Sequence, residues 1–252
     1  MILSADDHDV AAALLDARFA RRYLADGDSW FSLGGWTSNL LMALDDPDTL
    51  IVNCAYPGDT LGDMRRFGGD AFAELLAPTD GMPPWDAVLL SAGGNDLLCR
   101  CADYLARDPS DPIDDDALLA VLAEFETGLE RLARLIDDGQ PGVPAFVHTY
   151  DYPPVSRRWW WWQAGPWVSP AMRAAGVARG DWNGIATMLI DELAERIRIV
   201  ARRWPALRVV DTRDTLLPGD WSNEIHPNST GYAELARTWR KSLAAINQGA
   251  TP

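Results

Sequence analysis

Four short blocks carry side chains that together could attack an ester carbonyl and hold the resulting oxyanion. They are Gly27-Asp28-Ser29-Trp30, Asn53 to Thr60 (N-C-A-Y-P-G-D-T), Gly93-Gly94-Asn95-Asp96, and His226-Pro227-Asn228. A serine hydroxyl is a poor nucleophile until a neighbouring base takes its proton during attack. Ser29 follows a glycine that can take a tight backbone conformation, in a strand-to-helix turn that exposes the hydroxyl. An ordinary helix N-cap is the bland alternative for a bare G-D-S. The other three blocks tip the balance to a nucleophile.

The search for its base is short, because the chain has three histidines. His8 lies in a charged N-terminal segment and reads as solvated. His148 ends a strand and reads as packed or hydrogen-bonded. His226 stands in a loop between the last strand and the last helix, with Pro227 and the helix-start signal Asn228-Ser229-Thr230 fixing its backbone. It is the expected general base. The tetrahedral intermediate also needs donors aimed at its oxygen, and removing one typically costs about 10²–10³ in turnover. The Gly58 amide, the Asn95 carboxamide and the Ser29 amide are the candidates. A turn glycine at Gly58 and a tight strand exit at Gly93-Gly94 are compatible with that role.

These groups must be positioned by the elements around them. Arg22–Ala25, Asp48–Ala55, Trp85–Ser91, Val143–Tyr150 and Leu207–Val210 read as five strands, several of them apolar on both faces. Helical spacing covers Asp9–Phe19, Leu61–Leu76, Ala117–Asp137, Gly184–Arg203 and Thr230–Ile246, with Gly68-Gly69 weakening the second of these. Alternation of this kind predicts a parallel sheet covered by helices on both sides. Ligands gather at the carboxyl ends of such strands, where all four blocks fall. Residues 1–252 read as one domain, interrupted by an irregular insertion at about 155–181.

Taken together, the order G-D-S, N-x-x-x-x-G-D-T, G-G-N-D and H-P-N resembles the SGNH (GDSL) hydrolases, over most of the chain. That resemblance implies a flavodoxin-like α/β/α sandwich and ester or thioester hydrolysis through an acyl-enzyme, with no metal or organic cofactor. It makes Ser29 the nucleophile, Gly58 and Asn95 oxyanion donors, and His226 the base. One position departs: the acid expected three residues before the histidine is Asn223. An asparagine can hold the imidazole tautomer but cannot stabilise an imidazolium as a carboxylate does. Asn223 is favoured by position, Asp220 is the substitute acid, and Glu224 is a third contender.

Composition bounds the partners. The net charge is −15, from 37 acidic and 22 basic residues, which disfavours nucleic acid and anionic membranes but not a neutral or lipid-like ester. No run approaches a membrane span, and Met1-Ile-Leu-Ser leads into acidic residues rather than a signal-peptide core, so a cytoplasmic location is expected. Cys54, Cys99 and Cys101 form neither a zinc spacing nor a disulfide framework, and they read as packed thiols. The acidic loop Asp108–Asp116 lacks the pattern of a calcium loop and reads as a solvated helix cap.

Trp159–Trp162, with Trp167, is the oddest segment. Its indoles could fill a self-packed cluster, wall the substrate pocket, or seat on a partner subunit or lipid. Trp30, Trp160 and Trp161 are the candidates for a pocket wall. An acyltransferase or sugar deacetylase on the same scaffold stays open, as do a weakly catalytic binding protein and a homo-oligomer.

Overall fold

The apolar runs lie side by side in a sheet of six strands among the described residues, all parallel, ordered β1-β3-β2-β4-β5-β6. The structure is a computed structural model describing residues 1–32, 38–64, 69–106, 108, 111–156 and 165–245. In chain order the elements are β1 (Ile2–Ser4), α1 (Val10–Leu15), β2 (Arg21–Gly27), α2 (Ser29–Ser32), α3 (Leu40–Leu44), β3 (Thr49–Asn53), α4 (Gly69–Leu76), β4 (Ala87–Ser91) and α5 (Gly94–Leu97). A 3₁₀ segment (Leu98–Asp103), α6 (Asp115–Gly139), β5 (Ala145–His148), α7 (Ser169–Ala174), α8 (Trp182–Arg203), β6 (Leu207–Val210), a second 3₁₀ turn (Pro218–Asp220) and α9 (Ser229–Ala244) follow.

Every residue of β4 and β5 is buried, which explains why those runs are apolar without alternation. Helices α4, α6 and α8 pack along one face of the sheet, while α3 and α9 pack together on the other. The result is a three-layer α/β/α sandwich. The five strands expected from the sequence become six because Ile2–Ser4 pairs with Ile51–Asn53 at the sheet edge. Three residues are too few to show a periodicity. Without that edge strand, the remaining order is that of a flavodoxin-like sheet, in which the order of strand addition reverses between β2 and β4. Ser29 follows β2 and Asn95 follows β4, so both stand at the switch point.

Two helices are shorter than their spacing suggests. The first ends at Leu15, where the Asp16 backbone is extended and its carboxylate accepts from the Arg18 amide. The Leu61–Leu76 run opens as a single turn, in which the Met64 amide donates to the Thr60 carbonyl. Its helix begins at Gly69, and residues 65–68 lie outside the described residues. The acidic loop does cap α6, since Asp114 accepts from the Ala117 amide.

Gly27 marks the point where the turn carrying Ser29 leaves the sheet. Its φ is +152°, and a Cβ there would sit 2.4 Å from the Ser91 carbonyl oxygen and 2.7 Å from Ser91 Cβ. Only a glycine lets β2 lie this close to the end of β4. Gly27→Ala is expected to cost about 3 kcal/mol or more, through overpacking against backbone and a backbone angle foreign to alanine. Urea titration beside the wild type checks this, and an unchanged midpoint would contradict it.

Candidate active site

The first and fourth blocks meet. Ser29 Oγ lies 2.7 Å from His226 Nε2, although 197 positions separate them in the chain. Both side chains are buried. The histidine loop is pinned on three sides. Asn228 caps α9 by accepting from the Gly231 amide, and its own amide donates to the Asp220 carbonyl. The Ser222 amide donates to the His226 carbonyl at 2.8 Å. From the serine side, Trp30 Nε1 donates to the Ile225 carbonyl at 3.1 Å, tying the residue after Ser29 to the residue before His226.

Asn223, rather than Asp220 or Glu224, faces the far imidazole nitrogen. Asn223 Oδ1 lies 2.9 Å from His226 Nδ1 and also accepts from the backbone amides of Ile225 (3.1 Å) and His226 (2.9 Å). Two backbone donors leave only the oxygen able to occupy that place, so the orientation of this side-chain amide is decided. The imidazole must then carry its proton on Nδ1, leaving the Nε2 lone pair toward Ser29. Asp220 belongs elsewhere: the turn at Pro218–Asp220 sends its carboxylate back to the Leu217 amide, 2.8 Å away. Glu224 accepts from the amides of Trp167, Val168 and Ser169, holding the insertion against the histidine loop. Burial lowers the His226 pKa to about 4, so the ring is neutral and able to accept a proton near neutrality.

The second and third blocks also converge. Asn95 Nδ2 donates to the Asp59 carbonyl at 2.9 Å, and the Cys99 thiol donates to Asn95 Oδ1. These contacts fix which end of the carboxamide is nitrogen and leave its second N–H available. The next side chain, Asp96, accepts from the Leu61 amide through both oxygens. The exit of β4 thus grips the loop after β3, reaching across β2. Gly58 occupies that loop at φ +90°, in the turn closed by the Asp59 amide on the Tyr56 carbonyl. Gly58 is exposed, and its amide has no partner among the described residues.

Sequence reasoning missed the support behind the serine. The Asp28 carboxylate is fully buried and accepts from Tyr150 Oη (2.5 Å), Ser91 Oγ (2.7 Å) and the Trp30 amide (2.9 Å). Burial raises its pKa to about 6 against the pull of these donors. Ser91 has one proton and gives it to Asp28, so His148 Nε2 donates to Ser91 Oγ at 2.9 Å. Burial holds the His148 pKa down to about 3, and this histidine is a neutral packing residue. Tyr150 takes a left-handed φ of +61°, uncommon for an aromatic residue, and that backbone carries its ring under the turn. No short motif announces it.

Trp30 is buried, with its ring edge-on to Tyr150, Trp221 and Tyr232. Trp160 and Trp161 lie outside the described residues. Trp167 does reach the site, edge-on to the His226 ring with centroids 5.0 Å apart. Size does not locate the chemistry. Cavities of about 400 and 490 Å³, one bordered by Asp26 and α6 and the other by α1 and Trp85, touch neither Ser29 nor Asn95. Among the described residues, one His/Asp group has metal-ligand spacing: Asp7, His8 and Asp9, at the surface before α1.

A parallel α/β sandwich with a serine–histidine pair at its switch point defines the class of serine ester hydrolases. The chain belongs to the GDSL-like lipase/acylhydrolase family, which it matches over residues 6–234. It is similar in fold to the lipase/acylhydrolase of Enterococcus faecalis, at 18% identity and a TM-score of 0.53, with 89% of this chain and 96% of that one covered. It is similar also to a catalytic mutant of an acetylxylan esterase from Geobacillus stearothermophilus (16% identity, TM-score 0.52, 89% and 94% covered). A third likeness is to an extracellular lipase of Streptomyces rimosus (19% identity, TM-score 0.50, 87% and 99% covered). No curated protein matches the chain. Among the described residues no helix is long and apolar enough to cross a membrane.

Proposed function

We propose that this ester hydrolase works through an acyl-enzyme on Ser29, with His226 as general base and Asn223 holding its tautomer. Ser29 Oγ attacks the carbonyl carbon as its proton passes to His226 Nε2. The oxyanion is held by the Gly58 and Ser29 amides and the free N–H of Asn95. His226 then protonates the departing alkoxide or thiolate, the C–O or C–S bond breaks, and the acyl group stays on Ser29. Water attacks next, giving a proton to His226; the bond from Ser29 Oγ to the acyl carbon breaks, Oγ takes that proton from His226, and the acid leaves. The 2.7 Å contact between Ser29 Oγ and His226 Nε2 carries this reading.

The test is partitioning. With methanol added, a common acyl-enzyme gives one ratio of methyl acetate to acetate from both p-nitrophenyl and phenyl acetate. A ratio that changes with the leaving group would contradict the intermediate. A product distribution dominated by the methyl ester would instead favour acyl transfer, the rival on this scaffold. The binding-protein reading rests on Asn223 in place of an acid; the hydrogen bond from His226 Nδ1 to that residue supports a tautomer-holding role for it, and failure of a fluorophosphonate to label Ser29 would favour the binding protein.

Asn95→Ala should lower kcat by about 10²–10³ with a smaller change in KM, since its N–H serves the transition state. Steady-state kinetics check this, and a change confined to KM would contradict the role. We also read residues 1–252 as one domain, which the continuous core supports. A cytoplasmic location is the companion reading, supported by the three unpaired cysteines.

A further inference from the structure

We infer that the acyl pocket accepts an acetyl group and excludes longer chains, making acetyl esters the substrate class. This rests on the acyl-enzyme reading above. Among the described residues, a small cavity borders both Ser29 and Asn95, walled by Trp30, Leu98, Tyr150, Trp221 and Ile225. On this inference the chain of an acyl group bound to Ser29, with its oxygen toward Asn95, lies in this cavity. The cavity holds about 20 Å³, against the roughly 10–15 Å³ that one water needs on the same measure. That is room for a methyl group and little more.

The walls are braced against retreat. Trp30 is fixed by its indole N–H on the Ile225 carbonyl, and its ring packs edge-on against Tyr150 at 4.9 Å and Trp221 at 6.2 Å. Tyr150 is held by its hydroxyl on the buried Asp28 carboxylate. The opposite wall, Leu98, is itself buried at the start of the 3₁₀ segment that follows Asn95. A longer chain would have to break these bonds or push apart close-packed rings, and each excess methylene is paid for in overpacking. The alcohol side is different. His226 must protonate the leaving group, and Trp167 flanks that ring from the insertion, so the alcohol portion lies outside the tight cavity.

The experiment is a p-nitrophenyl ester series of acetate, butyrate and octanoate on the full chain, with Leu98→Ala run beside the wild type. For the wild type, kcat/KM should fall about 100-fold from acetate to butyrate, with octanoate slower still. Leu98→Ala should raise the butyrate-to-acetate ratio about tenfold. Because that ratio is taken within one preparation, a less stable variant does not blur it. Equal or rising kcat/KM with chain length in the wild type would overturn acetyl selectivity while leaving the catalytic reading intact. An unchanged ratio in Leu98→Ala would show that this cavity does not hold the acyl group, and would overturn the inference. No turnover of any ester would remove the catalytic reading and this one with it.

Discussion

Ser29→Ala should abolish ester hydrolysis, with kcat falling by at least about 10⁴-fold while the fold persists. The hydroxyl supplies the electrons of the new C–O bond, and nothing else in the small cavity can replace it. Asp28 is buried and already accepts three hydrogen bonds, so it is badly placed to attack. His226 has its lone pair on Nε2, but without Ser29 it can act only on water. A small residual rate is therefore expected, carried by the oxyanion donors and general-base attack of water. Alanine fills less space than serine and removes one hydrogen bond from the helix start, a modest change in stability. Equal thermal midpoints with the activity lost would locate the effect in the chemistry. Retained activity would remove Ser29 from the mechanism.

The second large effect concerns Asn223, and the two substitutions should move in opposite directions. Asn223→Leu removes the acceptor that fixes the His226 tautomer, and kcat should fall by roughly 10³–10⁴. It also strands the Ile225 and His226 amides, so a loss of stability should accompany it. Asn223→Asp keeps all three acceptor contacts and adds a charge. A carboxylate favours the imidazolium, so the His226 pKa should rise from about 4 and kcat should rise about tenfold.

The sign of the pH effect follows from the base having to be neutral. In the wild type, the limb set by this base climbs as pH rises through about 4. In Asn223→Asp the same limb should appear at higher pH, closer to the ordinary histidine value. Rate profiles of kcat/KM between pH 3 and 8 would check this. A limb that stays in place would mean that position 223 does not touch the titration of the base.

Much of the candidate site was legible in the chain because Ser29 and Asn95 directly follow strand ends and each candidate group lies inside a short block with its own turn chemistry. Gly27 before Ser29 and Asn228 after His226 are local signals, and both do what their types suggest. The less legible parts depend on contacts that no short motif records. Tyr150 and Asp28 are 122 positions apart, and nothing around Tyr150 marks its left-handed backbone. Asp220, Asn223 and Glu224 lie within five residues of one another, so spacing alone could not choose among them. The choice is made by where the backbone points: a 3₁₀ turn folds Asp220 onto Leu217, and Glu224 reaches the insertion instead. The sixth strand escaped for a simpler reason, since Ile2–Ser4 draws its order from β3 rather than from any pattern of its own.

The central idea is that Ser29 is a nucleophile made reactive by an imidazole set beside it across the fold. The most direct measurement is to treat the intact protein with a fluorophosphonate and map the adduct by mass spectrometry, with Ser29→Ala and His226→Ala alongside. One stoichiometric phosphonyl adduct on the peptide carrying Ser29 is expected, absent in the first variant and formed far more slowly in the second. An unlabelled Ser29 in protein that still turns over esters, or a label of equal rate without His226, would contradict it.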